Sequence, residues 1–136
     1  MRYLAIDYGD KRTGLAVCDA DEMLASPLAV LTGQPPLTSQ ILEIIKREAI
    51  EAAVLGLPLN MDGSEGAQAK LIRQFARELQ KHTDIPIHFY DERLTSFEAE
   101  KKLSAVDLTR KKKKKWLDAV AAAAILQSFL DEKHTG

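Results

Sequence analysis

Cysteine is almost missing: Cys18 is the only one, so the chain can close no disulfide within itself and build no thiolate metal site. Glycine and proline are sparse, 7 and 5 in 136 residues, which sets aside collagen-like and low-complexity chains. No apolar run approaches the roughly 20 residues a membrane-crossing helix needs. Met1-Arg2-Tyr3-Leu4 leads straight into a strand-like segment rather than a secretory leader. These absences point to a cytoplasmic, bacterial-type protein with no membrane partner. What the chain does have is a hydrophobic content of 46%. Its length suits one domain over residues 1–136, at the usual allowance of roughly 100–200 residues each. A domain this size hides about two-thirds of its unfolded surface and folds without staples. One domain also excludes an enzyme that must close two lobes on its substrate.

An excess of charge of either sign is lacking too, since 19 basic against 20 acidic residues leave a net charge of −1. Taken alone, that argues against a nucleic-acid partner. The average conceals a concentration: Arg110, Lys111, Lys112, Lys113, Lys114 and Lys115 are six of the 19 basic residues, leaving thirteen against 20 acidic ones elsewhere. An acidic body therefore carries one basic segment.

Alternation and turn residues predict a hairpin of Tyr3–Asp7 and Gly14–Cys18, then a third extended piece over Leu24–Leu31 closed by Gly33-Gln34-Pro35-Pro36. Thr38 or Ser39 is the expected N-cap of a helix with Ile41, Leu42, Ile44, Ile45 and Ile50 on one side. Ala52–Leu57 reads as a buried strand stopped by Pro58. Ser64 and Glu65 open a helix to about Lys81, with Leu71, Ile72, Phe75 and Leu79 as its stripe. A strand over Ile85–Tyr90, a short helix over Ser96–Leu103 and a long helix over Lys114–Leu130 complete the chain. The order β-β-β-α-β-α-β-α-α implies an α/β fold, a mixed sheet covered by helices.

Three acids stand out. Asp7 closes an apolar strand before Gly9, at the sheet end where open α/β folds keep their sites; the alternative is that Asp-Tyr-Gly merely starts a turn. Asp91-Glu92-Arg93 closes a second strand in the same way, or forms a self-paired charge cluster capping the next helix. Asp118 lies in line with Ala121, Ala122, Ile125 and Phe129, an apolar face due to pack on the sheet. A carboxylate there costs several kcal/mol of desolvation unless a cation or donor meets it; the milder reading puts it in the helix's first turn, complementing the macrodipole. If the three meet, they form an oxygen-only set suited to Mg²⁺ or Mn²⁺. Such ions would offset the mutual repulsion and activate water for in-line attack on a phosphodiester.

The basic run before Asp118 suits phosphate contact, supplying salt-sensitive affinity without sequence choice. Lys11, Arg12 and Arg93 are further phosphate candidates. Trp116 could stack on a base or lie at the core's rim. The loop Asn60–Gly66 is either an anion site at a helix N-terminus or a plain connection. His82, His88 and His134 show no ligand spacing.

The segments Asp7-Tyr8-Gly9-Asp10-Lys11-Arg12-Thr13-Gly14-Leu15-Ala16, Gly56-Leu57-Pro58-Leu59-Asn60-Met61-Asp62-Gly63-Ser64, Asp91-Glu92-Arg93-Leu94-Thr95-Ser96 and Leu117-Asp118-Ala119-Val120-Ala121-Ala122 stand in this order along nearly the whole chain. Together they resemble the YqgF/RuvX family. That resemblance implies a ribonuclease-H-like five-stranded mixed sheet, three N-terminal antiparallel strands plus two parallel ones, flanked by helices. It implies a nuclease acting on structured nucleic acid, with Asp7, Glu92 and Asp118 as catalytic metal ligands for Mg²⁺ or Mn²⁺. Processing of the 5′ end of precursor 16S rRNA is the leading substrate expectation and resolution of branched DNA, the Holliday junction, the alternative. Monomer and homodimer both stay open. In related nucleases the middle acid follows the strand that here ends Gly56-Leu57-Pro58, where no acid stands before Asp62. Cys18 takes a position where the family's serine is expected. Two other classes compete: a sugar-kinase-like or actin-like phosphate binder, suggested by Asp7-x-Gly9 with Gly14 but opposed by length, and a non-catalytic RNA-binding ribosome-assembly factor.

Overall fold

A computed structural model describes residues 1–33, 36–95 and 110–135, the side chains of 110–115 excepted. Five strands form one mixed sheet in the order β3-β2-β1-β4-β5. They are β1 (Tyr3–Asp7), β2 (Arg12–Cys18), β3 (Ala25–Thr32), β4 (Ala52–Leu57) and β5 (Ile87–Asp91). The first three are antiparallel neighbours, and β1, β4 and β5 run parallel. Helices α1 (Leu37–Arg47) and α2 (Ala67–Gln80) cover one face, and α3 (Arg110–Thr135) covers the other. The short helix expected over Ser96–Leu103 lies outside the described residues.

The central strands β1 and β4 are apolar on both sides because helices cover both faces. Leu4, Ile6 and Leu55 join Ile41, Ile44, Ile72 and Leu79 beneath α1 and α2. On the opposite face the strands present small residues, Ala5, Ala16 and Ala52, and α3 answers with Ala122, Ala123 and Leu126. Two small surfaces let the helix lie close to the sheet. At Gly14 it touches the strand: a Cβ there would stand 1.9 Å from the Asp118 carbonyl oxygen.

Several boundaries differ from the sequence reading, each for a local reason. Pro36, not Thr38 or Ser39, is the N-cap of α1, its extended backbone leading in while its carbonyl accepts from Gln40 N–H. That helix stops at Arg47 and Ala49 turns left-handed (φ 53°), so Ile50 is buried from outside the helix. Ser64 and Glu65 stay in the loop, held by a Leu59–Glu65 bridge, and α2 begins only after Gly66. Pro86 has no N–H for the ladder, which delays β5 to Ile87. The last helix starts at Arg110 rather than Lys114, which places Asp118 more than two turns inside and removes the first-turn macrodipole reading. Among the described residues no helix is long and apolar enough to cross a membrane.

Candidate active site

The parallel pairing of β1 with β4 and of β4 with β5 sets three strand ends side by side. Asp7 is the last residue of β1 and shares the face of Tyr3 and Ala5, the face toward α3. It pairs in register with Gly14, the position over which α3 crosses at Asp118. Asp7 and Asp118 are thus brought together by a hairpin register and a missing side chain. Glu92 comes directly after β5 as the first residue of a short 3₁₀ turn, Glu92–Leu94. Its chain lies back over β4: a Cβ on Gly56 would meet Glu92 Oε1 at 2.6 Å and Ile125 Cδ1 at 2.7 Å. Glu92 thus reaches from the end of β5 into space above β4 that Gly56 leaves open.

Asp7 senses both of the other acids. Burial first, then the charges of Glu92 and Asp118, then a hydrogen bond to Glu92 push the Asp7 carboxyl up to about 7. Glu92 is also raised, by burial first and by Asp91, while the bond from Asp7 works the other way. The pair therefore holds a proton near neutrality, with Asp7 donating and Glu92 accepting. Oδ2 of Asp118 is buried without a hydrogen bond, although Arg12 Nε stands 3.1 Å from it. A pocket of about 220 Å³ opens here, lined by Asp7, Glu92, Thr95, Ala121, Ala124 and Ile125.

This donor set tests well against a hard divalent cation. All donors are carboxylate oxygens, one of them is buried and unsatisfied, and another, Asp7, is pushed up to about 7 by burial and by the neighbouring acids. Among the described residues no three potential ligands stand ready to hold one ion as they lie. Asp7 is engaged with Glu92, and Asp118 faces Arg12. A proton and a guanidinium thus provide the compensation that a cation would otherwise give.

The basic candidates separate. Lys11 is exposed in the β1–β2 turn. Arg93 is committed: it forks onto Asp91 at 2.8 and 3.1 Å and donates to the carbonyls of Asn60 and Met61, both at 3.2 Å. It straps the loop to the end of β5. The loop is otherwise self-satisfied, with Asn60 Nδ2 donating to Ser64 Oγ at 2.9 Å and that hydroxyl donating to Asp62 at 2.6 Å. A carboxylate in that position favours the plain connection over the anion site. The backbone of Arg110–Lys115 forms the first turns of α3, and the side chains of that run lie outside the described residues. Trp116 is half-buried at the rim. His88 packs beside Tyr3 and Phe129, and Cys18 Sγ accepts from the Tyr3 N–H at 3.3 Å.

Sequence reasoning did not find the Arg12–Asp118 pair or the parts played by Gly14 and Gly56. The only available signal was position: Gly14 stands opposite Asp7 across a short hairpin, and Gly56 sits one residue from the end of a strand.

Comparison with known proteins shows the family and the fold. Residues 1–132 match the family described as "RuvX: Holliday junction resolvase". A protein of Maridesulfovibrio salexigens named "Putative pre-16S rRNA nuclease" is 42% identical over 96% of this chain and 98% of its own length. One of Anaeromyxobacter sp. (strain Fw109-5) with the same name is 44% identical over 98% and 99%. Among solved structures, Thermus thermophilus RuvC bound to a Holliday junction substrate superposes with a TM-score of 0.66 at 16% identity, covering 100% of this chain and 96% of that one. The fowlpox virus Holliday junction resolvase does so with 0.59 at 13% identity, covering 97% and 99%. Those two likenesses establish a RuvC-like, ribonuclease-H-like fold. With the family match spanning 1–132 and relatives above 40% identity along nearly the full chain, this protein belongs to the RuvX family of nucleases.

Proposed function

We propose that this nuclease depends on Mg²⁺ or Mn²⁺ and hydrolyses phosphodiester bonds in structured nucleic acid, with Asp7, Glu92 and Asp118 as its ligands. The observation that carries the reading is the acid cluster: Asp7 pushed up to about 7 by burial and two neighbouring acids, beside a buried Asp118 oxygen with no hydrogen bond. A bound divalent ion would supply charge compensation and lower the pKa of an attacking water. The residues themselves do the rest. Asp7 and Glu92 give up their shared proton, Asp118 offers its inner oxygen, and Ala121, Ala124 and Ile125 give the pocket an apolar wall that strengthens the electrostatics inside.

Lys11 and the run Arg110–Lys115 would place the backbone by contacts that read no bases. Replacing Lys111, Lys113 and Lys115 by Gln should flatten the log–log salt dependence of RNA binding by about two, at roughly 0.7–0.9 per lost phosphate contact. A filter-binding series over salt checks this, and an unchanged slope would remove the run from the interface.

The substrate we favour is precursor 16S rRNA, cut at its 5′ end, because the relatives along the full chain are named for pre-16S rRNA. The family description and the junction-bound RuvC support four-way DNA as the second reading. A side-by-side assay on both substrates in Mg²⁺ and Mn²⁺, with wild type and Asp118→Asn, separates them. Cleavage of precursor rRNA alone supports the first and symmetric junction cleavage the second. Tight RNA binding without turnover in either metal would leave an assembly factor.

A further inference from the structure

Arg12 opens β2, and its Nε stands 3.1 Å from Oδ2 of Asp118 with 51% of the side chain exposed. The contact is one of charge alone, because that oxygen receives no aligned hydrogen bond. Beneath it the backbone is locked. The Asp118 carbonyl rests on Gly14, and Arg12 and Gly14 are fixed by their pairing with Thr32 and Val30. The backbone is therefore fixed on both sides, and the longer, half-exposed arginine side chain is the partner with more room to move. Half-exposed ion pairs of this kind are weak and easily exchanged. A divalent ion brings twice the charge to the same oxygen and binds it directly. Arg93 offers no such freedom, being held by Asp91 and two carbonyls.

We propose that Arg12 is an exchangeable counter-cation: it neutralises Asp118 in the metal-free protein, yields the carboxylate to an entering divalent ion, and the released guanidinium then takes a phosphate of the nucleic acid. The proposal rests on the metal dependence proposed for the same acids. Its consequence is linkage. Metal entry frees a phosphate ligand, so each binding event favours the other by the same factor.

The test uses the full chain as wild type, Arg12→Gln and Arg12→Lys. Mn²⁺ is titrated into metal-free protein by calorimetry, and binding of a labelled four-way DNA junction is followed over a salt series in EDTA and in Ca²⁺. Arg12→Gln should bind Mn²⁺ about three- to fivefold more tightly, since no cation has to leave. Arg12→Lys keeps the charge and should stay within about twofold of wild type. In Ca²⁺ the salt slope of Arg12→Gln should fall by about one, and in EDTA it should match wild type. Unchanged or weaker Mn²⁺ binding by Arg12→Gln overturns the exchange, as do equal slope changes in both conditions. If Arg12→Gln melts before the titration, a gain of about three- to fivefold in Arg12→Lys overturns it and wild-type behaviour there sustains it. A wild type that binds no Mn²⁺ overturns the metal reading itself, a separate failure.

Discussion

Asp7→Asn should lower cleavage by at least about a thousandfold while making the metal-free protein more stable at neutral pH. The first effect comes from the proposed chemistry. Asn keeps the shape and can still donate to Glu92, but it removes the anion deepest in the cluster. Losing several kcal/mol of transition-state stabilisation means about three powers of ten, at 1.36 kcal/mol each. The second effect comes from linkage. In the folded protein the Asp7 carboxyl is raised from 3.8 to about 7, by burial first and by Glu92 and Asp118 next. Well below pH 3.8 the group is protonated whether folded or unfolded and costs nothing. As pH rises toward 7 the unfolded chain ionises while the folded one resists, so stability is lost across that window. Asn does not titrate, and the melting temperature of the variant should pull ahead of wild type between pH 4 and pH 7. Thermal melts in EDTA at both pH values check this. A constant difference would mean that Asp7 is not strained by its neighbours. Saturating Mn²⁺ should narrow the gap from the wild-type side, because only the intact cluster gains from the ion.

Gly14→Ala is the second large effect and acts without touching any chemical group. Its new methyl would coincide with the Asp118 carbonyl oxygen, 1.9 Å from the ideal Cβ, with the Ala119 nitrogen at 2.7 Å. Both obstacles are backbone, so no rotamer change relieves them and α3 must move off β2. Overpacking of this kind costs about 1–3 kcal/mol, and the upper end is expected because a whole helix shifts. For a chain this long that is on the order of 10 °C in Tm. The displaced helix also carries Asp118 away from Asp7, so cleavage should fall by more than the loss of folded protein explains. Activity measured well below the melting transition separates the two, and full activity there would show that the helix contact sets stability only. Gly33→Ala is the control, since a Cβ at Gly33 has nothing within 4 Å.

The strands and the three acids were legible in the sequence because their signals are local. Apolar runs ending in Gly or Pro mark β1 and β4, and Asp118 announces itself by standing in line with Ala122 and Ile125, both buried against the sheet. The strand end of Glu92 could be read as well, though not its reach. That depends on Gly56, thirty-six residues earlier in the chain, having no side chain. The pairing of Arg12 with Asp118 was equally hidden, since the sequence gives Arg12 a solvent-facing turn and only the packing of α3 brings the acid to it. Boundaries failed where a cap or a ladder decides them. Pro36 begins α1 ahead of two better-looking caps, and Pro86 removes a residue pair from β5. The contacts of Arg93 with the carbonyls of Asn60 and Met61 were hidden as well, since those carbonyls are near only after β4 and β5 pair.

The close fit of Glu92 over Gly56 makes those two positions tenants of one volume. A carboxylate in that volume can be rooted on either strand, provided the other root is vacant. Column-by-column comparison of sequences would score this chain as lacking an acid on β4. Comparison by occupied space finds a carboxylate there, that of Glu92, reaching in from the end of β5. For proteins of this fold, locating the middle carboxylate therefore means asking which side chain fills the space above the β4 terminus, whatever its number in the chain.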